Sequence, residues 1–66
     1  MNKIVKDYLM RCFLQFADAR DAETLADRLV PDMVEDIKET AGKNFNDCDI
    51  NIALVRALKN YLDIEE

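Results

Sequence analysis

Turn-forming residues are almost absent from this chain, which has one glycine and one proline among its 66 residues. An all-β fold needs a turn about every 8 to 12 residues, and such turns depend heavily on Gly and Pro. Half of the residues are hydrophobic and 35% are charged, so the composition does not predict disorder. The sequence therefore predicts an all-α fold, a small bundle of three to four helices.

The length predicts one helical domain spanning residues 1–66. A chain of this size buries only about 60% of its unfolded surface. We therefore expect marginal stability unless a partner or a second copy covers apolar surface.

Apolar residues recur at helical spacing from Asn2, the expected N-cap, to about Phe16. A break is predicted near residues 17–21, with Asp18 or Asp21 capping the next helix, although one helix over residues 2–29 is the alternative.

Pro31 suits the first position of a third helix, and Gly42 suits a left-handed C-cap at its end. Asn46 is predicted to cap the last helix in a capping box with Asp49, while Phe45 and Ile50 flank it as a hydrophobic staple.

The last helix, residues 47–63, is apolar over more than half of its circumference, which predicts contacts with more than one neighbour. We expect it to be the central helix, packed by residues 3–16 and 22–41. The predicted core comprises Ile4, Tyr8 or Leu9, Phe13, Leu25, Leu29, Val34, Ile37, Ile50, Leu54, Leu58 and Tyr61.

Met10 and Leu14 form a second, narrow apolar strip on the first helix, opposite its main apolar face. The strip has no obvious partner within the chain, so it is the predicted self-association site of a homo-oligomer, most simply a two-fold dimer. The alternative is that both residues are merely exposed.

The net charge is -5, and it is concentrated in residues 21–49, which hold nine acidic and three basic groups. Four carboxylates spaced along one predicted helix form a candidate acidic partner surface: Asp32, Glu35, Asp36 and Glu39. The alternative is a solvated face that keeps the protein soluble. Direct binding to nucleic acid is not expected, because phosphate contacts need clustered Lys and Arg.

Catalytic and metal-binding patterns are missing from the sequence. The chain has no histidine and no serine, its single glycine excludes a phosphate-binding loop, and no EF-hand pattern occurs. We predict a protein that is not an enzyme and has no cofactor and no metal.

Cys12 and Cys48 lack metal-ligand spacing, and we expect free thiols in a reducing cytoplasm, Cys12 in the core and Cys48 semi-buried. A single disulfide is the alternative. No run approaches the ~20 apolar residues that span a bilayer, so neither a membrane anchor nor a signal peptide is expected.

Residues 53–58 and 61–66 resemble the second helix of acyl carrier proteins. Those carriers attach their prosthetic arm to a serine just before this helix, and this chain contains none, so the resemblance is rejected.

Two functions remain. The first is a small adaptor or structural module that binds a protein partner through apolar helix faces. The second is an acidic inhibitor or decoy that occupies the basic groove of a nucleic-acid-binding protein, since small phage- or plasmid-borne antagonists of host defence resemble this chain in size and charge.

Overall fold

The computed structural model describes residues 1–63, and over that range the chain is helical with no strand. It contains three α-helices, α1 (Asn2–Phe13), α2 (Ala19–Thr40) and α3 (Asp47–Asp63). A single turn of 3-10 helix, Gly42–Asn44, lies between α2 and α3. The predicted all-α fold is confirmed.

The predicted break after the first helix is confirmed, and it begins earlier than expected. Helix α1 ends at Phe13, and Met1 rather than Asn2 is its N-cap. Asp18 caps α2, since its Oδ1 accepts a hydrogen bond of 2.8 Å from the backbone N–H of Asp21. The connection between α1 and α2 has neither glycine nor proline, and the side-chain cap of Asp18 sets the start of α2 instead.

Pro31 does not begin a new helix, and that prediction is wrong. It lies inside α2, which continues for another nine residues to Thr40. An internal proline costs about 3 kcal/mol. Met33 and Ile37, beyond the proline, are both fully buried, and burial of each such side chain contributes roughly 1.5–3 kcal/mol. Packing of the second half of α2 therefore offsets the penalty, with the Pro31 ring exposed to solvent.

The connection from α2 to α3 follows the sequence prediction closely. Gly42 has a φ of +68°, the left-handed conformation that ends a helix. The backbone N–H of Asp49 donates to Asn46 Oδ1 at 3.0 Å, and the backbone N–H of Asn46 donates to Asp49 Oδ2 at 2.9 Å. The capping box therefore forms with Asp in place of Glu, and it fixes the first turn of α3.

Helix α2 is the helix that packs extensively against both of the others. This arrangement does not confirm the central position predicted for residues 47–63. One core joins the three helices, and its buried members are Val5, Leu9, Phe13, Ala22, Ala26, Leu29, Val30, Met33, Val34, Ile37, Ile50, Ala53, Leu54 and Ala57.

Most of the large core residues were predicted, but Ile4 and Tyr61 were not correctly placed. Ile4 is 54% exposed and Tyr61 is also exposed. For Ile4 the reason is that α1 makes its extensive contacts with α2 alone. Helix α1 therefore buries only a narrow stripe at four-residue spacing, Val5, Leu9 and Phe13. Leu25 and Leu58 pack at the edge of the core rather than inside it.

Candidate interaction surfaces

The four predicted carboxylates lie together beside α3. They line a groove of about 450 Å³ between α2 and α3, which we call the acidic groove, together with Ala53, Arg56, Ala57 and Asn60. Its members on α2 are Asp32, Glu35, Asp36 and Glu39. The two alanines on α3 leave room for the groove because their side chains end at Cβ.

A basic side chain lies inside the acidic groove. Arg56 Nη1 is 2.7 Å from Asp36 Oδ1, and Asp36 is the least exposed of the four carboxylates, while Asp32, Glu35 and Glu39 are exposed. The four carboxylates and one guanidinium give the groove a formal charge of -3. The array is therefore acidic but partly neutralised within the chain.

The four carboxylates of the acidic groove do not converge on one point. Among residues 1–63, no three side chains of His, Cys, Asp or Glu converge closely enough to hold a metal ion. Their helical spacing spreads them along the groove instead of directing them to one point. The acidic groove therefore offers charge over an extended surface.

Both cysteines are free thiols, so the alternative of a disulfide is excluded in this structure. Cys12 is half-buried against the core. Cys48 is exposed rather than semi-buried, because it lies roughly 160° around α3 from the buried Ile50 at about 100° per residue.

The predicted self-association strip is divided between two environments. Met10 is half-buried and packs against the core, whereas Leu14 is exposed just after the end of α1. Phe16 is also exposed there, with its ring in an edge-to-face contact with Phe13 at 5.8 Å between centroids. Met10 and Leu14 therefore do not form one continuous exposed surface.

A larger apolar surface lies on α3, on the side away from the core. Ile52, Val55 and Leu62 are 47%, 58% and 60% exposed. With Cys48 and Lys59, which are also exposed, they follow spacings of four, three, four and three residues. We call these five residues, Cys48, Ile52, Val55, Lys59 and Leu62, the outer face of α3.

The outer face is nearly opposite the buried face of the same helix. At about 100° per residue, its five members fall within an arc of about 80°. The inner face, Ile50, Ala53, Leu54 and Ala57, is centred roughly 170° away and packs in the core. The wide apolar arc of α3 is evident in the sequence, where it predicted contacts with more than one neighbour within the chain.

Tyr8 of α1 extends the apolar surface beyond α3. It lines a shallow groove of about 540 Å³ with Asp47, Cys48, Asn51 and Ile52. Burial of the phenol, followed by the negative charges that Cys12, Asp47 and Cys48 would carry, raises the pKa of Tyr8 above its ordinary value. The groove joins the first turn of α3 to α1 on the side of the outer face.

Comparison with protein-family models, with curated proteins and with solved structures gave no significant match to this chain. None of the helices in residues 1–63 has both the length and the apolar character required to cross a membrane.

Proposed function

We propose that this protein is a small, non-enzymatic interaction module of the cytoplasm that self-associates and binds a protein partner through apolar helix surface. The observation that supports this proposal most strongly is the outer face of α3. Three large apolar side chains, each about half exposed or more, lie along one side of a helix.

The cost of exposing that surface supports an interaction role. Single exposed apolar residues are ordinary on protein surfaces, but an aligned set on one helix face is a recurring form of protein recognition. Burial of apolar surface contributes about 25 cal/mol per Å². A domain of 66 residues with little stability to spare gains from a partner that covers such a face.

A second function, an acidic decoy for the basic groove of a nucleic-acid-binding protein, is supported by the gathering of four carboxylates in the acidic groove. Against it, Arg56 pairs with Asp36 inside the groove, and Asp36 is half-buried. A mimic of a phosphate backbone needs a dense and uncompensated array of negative charge. We therefore favour the apolar module.

The test is capture of proteins by the immobilised chain from an extract of its source organism, at low and high salt. An apolar contact tolerates salt, whereas charge-based recognition is screened. Two matched double variants separate the surfaces: Ile52→Ser with Val55→Ser on the outer face, and Glu35→Gln with Glu39→Gln in the acidic groove.

The module predicts a partner that is retained at high salt, lost in the outer-face variant and retained in the groove variant. The decoy predicts the reverse: loss at high salt and loss in the groove variant. Circular dichroism of each variant checks that the helices are intact, since all four substituted residues are exposed.

A further inference from the structure

The outer face of α3 has the spacing of a helix-pairing surface. Its residues alternate four and three apart from Cys48 to Leu62, which is the spacing of the a and d positions of a heptad. The inner face lies on the opposite side, so the outer face is free to meet another helix while the core stays intact. The occupant with the best geometric match is a helix with the same spacing.

The charged residues on one edge of the outer face favour a second copy of α3 as the partner helix, in antiparallel orientation. Asp49 and Arg56 are seven residues apart and lie along the same edge. If the α3 helices of two copies pack antiparallel, the same edge of each helix lies beside the other, running in the opposite direction. Asp49 of each copy then faces Arg56 of the other. The pairing is self-complementary, as a two-fold interface requires.

Arg56 is available for this second contact. Its side chain is 52% exposed while it holds Asp36 at 2.7 Å, and a guanidinium has five N–H donors. One Arg56 therefore has donors for Asp36 in its own chain and for Asp49 of the second copy.

Lys59 disfavours the parallel alternative. In a parallel pair, the two copies of Lys59 would meet at one layer of the seam, and like charges repel there. In the antiparallel pair, Lys59 lies opposite Cys48 of the second copy, beside the acidic first turn that contains Asp47 and Asp49. Ile52 then packs against Val55 of the second copy at the centre.

We infer that the outer face of α3 binds the outer face of a second copy of this chain, antiparallel, with Ile52 against Val55 and Asp49 against Arg56. This inference rests on the proposed function and specifies the site of self-association. In this register Leu62 lies opposite position 45 of the second copy, which precedes α3. The seam therefore has two large apolar residues, Ile52 and Val55, and a single lysine in each copy, so the dimer is expected to be weak and concentration-dependent.

Cross-linking through the native Cys48 tests the inference. In a Cys12→Ala background, Lys59→Cys places a thiol opposite Cys48 of the second copy. Oxidised glutathione takes up the two electrons and two protons released as each pair of thiols forms a disulfide. The expected product is a covalent dimer joined between positions 48 and 59, identified by peptide mass mapping under non-reducing conditions.

The matched control is Asn60→Cys in the same background, because Asn60 is exposed but lines the acidic groove. It is expected to give at least tenfold less covalent dimer. An intramolecular link between positions 48 and 59 is excluded, since they are about 16 Å apart along the helix.

A dimer joined through Cys48 of both copies, or equal yields from the two variants, would overturn the antiparallel pairing. So would a chain that remains monomeric at all concentrations. The proposed binding of a protein partner is tested separately: it is contradicted if the outer-face substitutions leave capture of that partner unchanged, whatever the oligomeric state.

Discussion

The two faces of α3 are both apolar, yet the inner face is buried in the core and the outer face is exposed to solvent. The inner face, Ile50, Ala53, Leu54 and Ala57, is buried in the core that α3 shares with α2. The outer face carries larger side chains, and two of them, Val55 and Leu62, are 58% and 60% exposed. The comparison shows that apolar character alone does not separate a core position from an interaction surface.

The largest effect is expected on the inner face. Leu54 is 7% exposed and lies in the core, so Leu54→Ala should lower the free energy of unfolding by about 2–5 kcal/mol. Thermal unfolding followed by circular dichroism measures the loss. The matched substitution on the outer face, Val55→Ala, should change stability by no more than about 0.5 kcal/mol.

Equal losses from Leu54→Ala and Val55→Ala would contradict the assignment of the two faces. A Leu54→Ala chain that melts like the parent would show that this position does not belong to the core.

A smaller effect is expected at the connection that positions α3 against α2. Gly42 has a positive φ, and a Cβ there would meet no atom within 4 Å. Gly42→Ala should therefore cost only the backbone strain of the left-handed conformation, about 1–2 kcal/mol. Chemical denaturation measures it, with Thr40→Ala as a control at a nearby exposed helical position.

If Gly42→Ala is neutral, the left-handed conformation at this residue is not required for the α2–α3 packing. A loss no larger than that of Thr40→Ala gives the same conclusion.

A still smaller effect is expected from two titratable groups of α1, Lys6 and Tyr8, on the pH dependence of stability. Lys6 Nζ lies 2.9 Å from Asp27 Oδ1 and 3.4 Å from Glu23 Oε2. The hydrogen bond to Asp27, opposed by some desolvation and aided by Glu23, raises the pKa of Lys6 above 10.5. Burial likewise raises the pKa of Tyr8 above 10.0.

Both groups have a higher pKa in the folded chain than in the unfolded chain, so both favour folding in their protonated forms. Their contributions are fully present below pH 10.0 and are lost as the pH rises through the folded pKa values. Unfolding measured from pH 8 to 11 should show an alkaline decrease that is smaller in a chain with Lys6→Met and Tyr8→Phe. A decrease of the same size in both chains would contradict this assignment.

Local signals predicted the start of α2 and both sides of the α2–α3 connection, because caps depend on neighbouring residues only, whereas both ends of α1 were misplaced. Asp18, Gly42 and the Asn46–Asp49 box all act as expected. Pro31 was misinterpreted because its local penalty is outweighed by burial of residues that follow it. The sequence alone does not show how strongly those residues pack.

The surfaces were harder to predict, because periodicity shows that a face is apolar and not what covers it. Met10 was assigned to an exposed strip but packs on the core, while Ile4 and Tyr61 were assigned to the core and are exposed. The acidic residues were correctly grouped on one helix. Their position beside Arg56 depends on how α2 and α3 pack together.

The central claim, that the outer face of α3 is an association surface, is tested most directly by sedimentation equilibrium over a range of concentrations. The parent chain should rise from 7.6 kDa towards twice that mass. Ile52→Glu with Val55→Glu should remain at the monomer mass, whereas Leu14→Glu with Phe16→Glu, which adds the same charge to exposed apolar residues elsewhere, should still associate. A parent that stays at the monomer mass, or an outer-face variant that associates like the parent, would contradict the claim.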